Sequence, residues 1–176
     1  DAGKPQEAVM HAVSDDLDTW RKDPDVAFFA PEGYEPHDWR DPFVFRNDEA
    51  GEYWMLLAAR KPEGPERFRG VVACAASNDL IHWETREPFW APDLYFTHEC
   101  PDLFRMGRYW YLVWSEFSER FRTRYRYAES LDGPWMKPVD DLFDDRAYYA
   151  AKTAGIDTER YLFGWLATRD GERDNG

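Results

Sequence analysis

Short apolar runs recur along this chain, separated by polar turns. "YWMLLAA" (53–59), "YWYLVW" (109–114) and "YLFGWLA" (161–167) are aromatic, branched or small at every position but Met55. That is the pattern of strands buried on both faces. Each is entered through another strand and a polar turn: "DPFVFRNDEAGEYWMLLAAR", "CPDLFRMGRYWYLVWSE" and "AAKTAGIDTERYLFGWLAT". The second turns at Met106-Gly107-Arg108 and the third at Asp157-Thr158-Glu159. "ERFRTRYRYAE" has a period of two, with Phe121, Thr123, Tyr125 and Tyr127 set against Arg122, Arg124 and Arg126. No stretch reads as a helix of useful length. The chain is predicted to be all-β.

A corner repeats as well. "AVSDDLDTW", "AASNDLIHW" and "AESLDGPW" each run from a strand into Ser, through a turn holding Asp, to Trp. The serines are 14, 77 and 130, and the tryptophans 20, 83 and 135, read as scaffold. With the strand pairs, the unit is strand, turn, strand, loop, strand, corner, strand. Four antiparallel strands with a period in the fifties predict the blades of a β-propeller. A sandwich would not repeat the corner three times. The units fall at 1–39 (the end of one blade and a linker), 40–98 and 99–147 (full blades) and 148–176 (the first half of another). About three blades' worth of strands cannot close a ring alone, and the open apolar edges predict self-association, a homodimer included.

Composition narrows the partners. The net charge of −13 argues against nucleic acid and anionic membrane surfaces. It makes an outer blade strand the better reading of the Arg-aromatic run at 121–127. A neutral, hydroxyl-rich ligand is not repelled, and aromatic residues at 18% supply stacking platforms. No apolar run approaches a membrane span. No signal peptide is evident, which leaves the location open and leans towards the cytoplasm. Cys74 and Cys100 are too few for a disulfide scaffold. The histidines at 11, 37, 82 and 98 lack metal-ligand spacing, so no metal or cofactor is expected.

Two acidic residues stand at matching strand mouths, Asp41 in "HDWRDPFVF" and Glu99 in "THECPDLFRM". Innermost strands of a propeller start at the central channel, so these side chains are expected to share one pocket. The prolines after them suit a strand's first position, where no ladder bond is needed. "RDP", then "ECPD" with its proline 59 residues later, then "YYAAKTAG" and "YLFGW", resemble the motifs of glycoside hydrolase family 32. That family cleaves sucrose and fructans, with a five-bladed propeller as its catalytic domain.

The resemblance implies a middle portion of that domain, cleaving β-fructofuranosides with retention of configuration. It assigns the general acid/base to Glu99, kept protonated by neighbouring carboxylates and partial burial. It makes Asp41 the transition-state stabiliser, its ionised state fixed by Arg40. The nucleophile, an Asp in an Asn-Asp-Pro-Asn motif, is not present, so the chain alone is expected to be inactive. "KDPD" (22–25) is the nearest look-alike and belongs at a blade's rim.

Arg40, Trp39 and His98 are the expected substrate-binding residues: Arg40 as a donor, Trp39 stacking on a sugar face, His98 lining the pocket. Asp102 reads equally as structural, and Cys100 as buried beside the acid. Two alternatives remain at this point. One is a non-catalytic, self-assembling propeller or sugar-binding module. The other is a related propeller glycosidase acting on arabinan or xylan, against which the Glu-Cys-Pro-Asp step speaks.

Overall fold

A computed structural model describes residues 5–144, 147–156, 158–166, 168–170 and 173–175. The expected turn residue Asp157 lies outside them. Strands β1 (Ala8–Val13) and β2 (Arg21–Phe29) form a hairpin sheet. β3 (Trp39–Asn47), β4 (Glu52–Arg60), β5 (Gly70–Ser77) and the short β6 (Glu84–Thr85) form a four-stranded sheet in sequence order. β7 (Glu99–Met106), β8 (Tyr109–Glu116) and β9 (Arg122–Ala128) form a third sheet, extended by single bridges from β9 to Met136 and Leu142. β10 (Tyr148–Ile156) pairs with β11 (Glu159–Leu166), and two three-residue strands, β12 (Thr168–Asp170) and β13 (Arg173–Asn175), follow. All the pairings are antiparallel. The only helix among the described residues is a single 3-10 turn at Glu66–Phe68. The architecture is a partial β-propeller.

Alternation along β4 and β5 explains why both faces had to be apolar. Met55, Leu57, Ala59, Val71, Ala73 and Ala75 form one core, packed against Val9 of β1 and Phe28 of β2. Leu56, Val72 and Cys74 face the other way, onto Leu103, Leu112 and Trp114 of the next sheet. A strand between two stacked sheets has no solvent face, so polar positions disappear from it. Leu56, Leu57 and Leu112 are fully buried, each worth about 1.5–3 kcal/mol by area. β11 departs from the expectation. Tyr161, Phe163, Trp165 and Leu166 are exposed, because no described sheet covers them.

The repeated corners are local hydrogen-bonded structures. Ser14 Oγ donates to Asp16 at 3.0 Å and accepts the Leu17 N–H at 2.8 Å, while Trp20 Nε1 donates to Leu17 O at 3.1 Å. Ser77, Asp79, Leu80 and Trp83 make the same bonds at 3.0, 2.9 and 3.2 Å. Leu17 and Leu80 share a left-handed φ of 66°, which the side-chain bonds hold in place. The third corner uses Gly133 at φ 84° instead. Trp83 and Trp135 pack on the two cores, whereas Trp20, expected to be scaffold, is 55% exposed.

Sheets are tied at the start of β5 by close backbone approach. A Cβ on Gly70 would lie 2.7 Å from Thr97 Cα, so only glycine fits. The arginines of β9 lie on the last strand of its sheet, as expected, and two of them point inward. Arg124 and Arg126 are 9% and 4% exposed and converge on the carboxylate of Asp141. Arg126 lies over the Trp114 ring at 5.1 Å and Arg124 over Tyr95 at 5.0 Å. Paired guanidinium groups on aromatic faces can enter a core that single charges cannot.

Candidate active site

Three consecutive inner strands carry the same irregularity. The register breaks between Arg40 and Phe43 in β3, between Glu99 and Asp102 in β7, and between Tyr149 and Lys152 in β10. At each break two residues oppose one, a β-bulge. The first bulged residue is left-handed every time: Asp41 at φ 57°, Cys100 at φ 50° and Ala150 at φ 51°. Non-glycine residues there are strained, and such strain clusters at functional sites. Pro42 and Pro101 therefore sit inside the bulges rather than at the strands' first positions, where they were expected. Their missing N–H falls where the ladder is already interrupted.

The bulges also fix which residues correspond. Arg40, Glu99 and Tyr149 occupy one level, and Asp41, Cys100 and Ala150 the next. The inner strands touch in succession, β3 to β7 and β7 to β10. Arg40 NH2 donates to Glu99 Oε1 at 2.7 Å, and the Cys100 N–H donates to Asp41 Oδ2 at 2.9 Å. These crossed bonds bring the Arg40–Asp41 and Glu99–Cys100 steps together. Tyr149 donates its hydroxyl to Glu99 Oε2. Both oxygens of Glu99 thus face hydrogen-bond donors, and its direct partners are Arg40 and Tyr149 rather than the carboxylates expected from sequence.

The expected pairing of Arg40 with Asp41 needs revision. Arg40 directs its guanidinium at Glu99, Asp38 and Glu7, and no ion pair joins it to Asp41 among the described residues. Asp41 is held by Cys100 instead, through its N–H and, at 3.6 Å, its Sγ.

The stacking and lining roles expected of Trp39 and His98 are corrected by burial. Trp39 is 0% exposed and packs on Phe28 and Tyr34, with centroids 5.4 and 5.1 Å away. His98 is also 0% exposed, enclosed by Trp90, Tyr95 and Trp114. Burial, with Arg126 adding to it, lowers the His98 pKa to about 3, so the ring is neutral. Each sits one position before a residue that faces the site, and the pleat turns it into the core. Neither ring has a face free for a sugar.

Tyr149 and Lys152 were not singled out from the sequence. Aligning "WRDP", "HECP" and "YYAA" would have placed Tyr149 beside Arg40 and Glu99. Burial first, and then the Glu99 charge, raises the Tyr149 pKa above the ordinary phenol value. Lys152 Nζ donates to Pro101 O at 2.8 Å, and burial lowers its pKa. Asp102 is 1% exposed and accepts the Thr153 N–H, a bond between neighbouring inner strands.

Cys100 sits beside Asp41. Burial, then the Asp41 charge, pushes its thiol up to about 12, and burial does the same for Cys74. A thiolate fraction on the order of a thousandfold below a free cysteine's follows at pH 8. A disulfide reagent should modify neither thiol in minutes in the folded chain and both after unfolding in guanidinium. Rapid labelling of the native chain would contradict this placement. Among the described residues, no group of three or more His, Cys, Asp or Glu is arranged to hold a metal ion.

Comparison with known proteins yields a consistent set. Sucrose-6-phosphate hydrolase of Salmonella typhimurium is 27% identical over 162 residues, covering 81% of this chain and 33% of that protein. A Bombyx mori GH32 β-fructofuranosidase, solved as a point mutant in complex with sucrose, superposes with a TM-score of 0.72 at 24% identity. That match covers 89% of this chain and 36% of the other. Fructan 1-exohydrolase IIa of Cichorium intybus gives a TM-score of 0.73 at 18% identity, over 97% of this chain and 37% of its own. The chain spans about a third of the length of each. At these identities the structural likenesses speak for the fold. The family model described as "Glycosyl hydrolases family 32 N-terminal domain" matches residues 1–175, and the chain belongs to glycoside hydrolase family 32.

Proposed function

We propose that this chain supplies the general acid/base, Glu99, and the transition-state stabiliser, Asp41, of a retaining β-fructofuranosidase. One observation supports this above the others. Asp41 and Glu99 lie on inner strands that touch, and each bonds the other's strand, through the Arg40–Glu99 bond at 2.7 Å and the Cys100–Asp41 bond at 2.9 Å. Cleavage with retention requires a proton donor for the leaving oxygen and a nucleophile on the other side of the anomeric carbon, roughly 5–5.5 Å away. Glu99 gives the proton to the leaving oxygen and then takes one from the attacking water. Asp41 holds sugar hydroxyls by bonds that strengthen as the ring becomes cationic. Arg40 fixes Glu99 and is a further donor to the substrate.

The nucleophile comes from outside this chain's 176 residues, so the chain alone is inactive. Sucrose and fructans are the substrate class, with no cofactor or metal. Within the chain the functional units are 1–39, 40–98, 99–147 and 148–176. The test is a protein completed to the relatives' length and assayed on sucrose, inulin and levan. Release of fructose is expected, and its absence would overturn the proposal.

A second reading is favoured by the sheet edges. β1 and β11 each have one unpaired edge among the described residues, and β11 exposes Phe163 and Trp165. The β10–β11 pair of one copy can join the β1–β2 pair of another into a four-stranded blade, giving a homodimer or larger ring without catalysis. Light scattering of the chain separates the readings, since a folded monomer leaves self-assembly unsupported.

A further inference from the structure

Arg40 bonds one oxygen of Glu99 at 2.7 Å. A lone guanidinium at that distance holds a carboxyl ionised. That is the wrong state for a group that must give up a proton. The other terminal nitrogen of Arg40 changes the balance. NH1 donates to Glu7 Oε2 at 3.0 Å and to Asp38 Oδ1 at 2.7 Å. Three carboxylates share one cation.

We propose that Glu7 and Asp38 are positioning residues that act through Arg40, drawing off its charge so that Glu99 remains a proton donor. The inference rests on the reading of Glu99 as the general acid.

Both extra carboxylates are held by further bonds, which makes them part of a built arrangement. Glu7 Oε2 also accepts the Trp39 N–H at 3.0 Å. Asp38 Oδ2 lies 3.5 Å from Arg60 Nε, and Arg60 is 1% exposed. Arg60 is locked in turn by Glu35 at 3.1 Å and by the carbonyls of Phe96 and Glu66. Asp38 therefore stands between two fixed guanidinium groups and cannot swing away to solvent. Burial opposes the Arg40 charge, yet the bonds from Glu99, Asp38 and Glu7 outweigh it and raise its pKa. Arg40 stays charged throughout, so its carboxylate partners divide its field.

Tyr149, which donates to the other oxygen of Glu99, favours the carboxylate as Arg40 does, and neutralising Glu7 or Asp38 leaves that bond unchanged. Around Glu99, β3 contributes Arg40, β7 contributes Cys100 and β10 contributes Tyr149, with Asp41 and Lys152 acting on Cys100. Cys100 and Tyr149 are both raised and stay neutral near pH 7. Burial lowers the Lys152 pKa, with Cys100, Asp102 and Asp41 acting the other way. Neutralising Glu7 or Asp38 removes a negative charge from the guanidinium that bonds Glu99. More of the Arg40 field then falls on Glu99.

The experiment is a carboxyl-carbon NMR titration of Glu99 in this chain, assigned by its loss in Glu99→Gln. Glu7→Gln keeps an acceptor oxygen for Arg40 and Trp39 and removes the charge, whereas Asp38→Asn keeps one for Arg40 but turns its amide nitrogen towards Arg60. Each should lower the Glu99 midpoint by about half a unit to one unit. An unchanged or raised midpoint in a folded variant overturns the proposal. Asp38→Asn touches buried Arg60, so Glu7→Gln carries the test if the first variant does not fold. In the completed enzyme, the alkaline limb of the kcat profile should move down by the same amount at unchanged KM. A midpoint shift in a completed protein that cleaves no fructoside would support the coupling and overturn the catalytic reading it serves.

Discussion

Asp141→Ala should destabilise the chain by about 3–5 kcal/mol, the range for removing one partner from a buried ion pair. Asp141 is 4% exposed and accepts from two guanidinium groups, Arg124 at 2.8 Å through Oδ1 and Arg126 through Oδ2. Truncation leaves both cations buried. Glu116 still bonds Arg124 at 3.0 Å, but Arg126 keeps only the Tyr125 carbonyl and the Trp114 and Trp90 rings. The pH dependence has a fixed sign. Burial acts to raise the Asp141 pKa, but the Arg126 bond and the charges of Arg124 and Arg126 win and lower it. A carboxyl depressed in the folded state stabilises fully above its unfolded value, about 4, and loses that contribution as pH falls through the folded value. Urea unfolding should therefore show the gap between parent and variant wide at pH 7 and narrower near pH 3. A variant within about 0.5 kcal/mol of the parent at pH 7 would refute the role given to Asp141.

Much of the fold was legible because its causes are local or periodic. Ser14 and Ser77 bond backbone groups within three residues, so those corners can be read off a short string. The unbroken apolar runs of β4 and β8 report strands pressed between sheets. The same pattern in β11 reports a demand for burial that the described residues do not meet, which is why Phe163 is 63% exposed. Sequence shows what a strand suits, and the neighbours decide what it receives.

The site was legible in part. Glu99 and Asp41 stood out as acids beside prolines, yet the bulges that position them leave no mark of their own in composition. Taking Asp41 and Glu99 as equivalent hid the true correspondence of Arg40, Glu99 and Tyr149. Trp39 and His98 were misjudged for a related reason. Proximity in sequence suggested a shared pocket, but one step along a pleated strand reverses the side chain. The link from Glu7 to Arg40 spans 33 positions, and no short motif encodes it.

Glu99→Gln in a protein completed to family length should lower kcat on sucrose by about 10³-fold, within the range for losing a general acid. The substitution keeps the side chain's size, so the fold and the Arg40 contact can be verified first. Proton donation matters most where the leaving oxygen is a poor leaving group, as the sugar alkoxide released from sucrose is. A fructoside with an activated leaving group needs no proton to depart, so the variant should recover most of its first-step rate on that substrate. It should then stall at the second step, where the missing carboxylate no longer draws a proton from water. A burst of leaving group followed by slow turnover is the expected trace. Asp41→Asn should behave differently, losing rate on both substrates alike, because charge on the sugar ring develops whatever the leaving group. If Glu99→Gln slowed both substrates equally and showed no burst, Glu99 would be acting in binding or support. The acid would then have to be sought elsewhere on the ring.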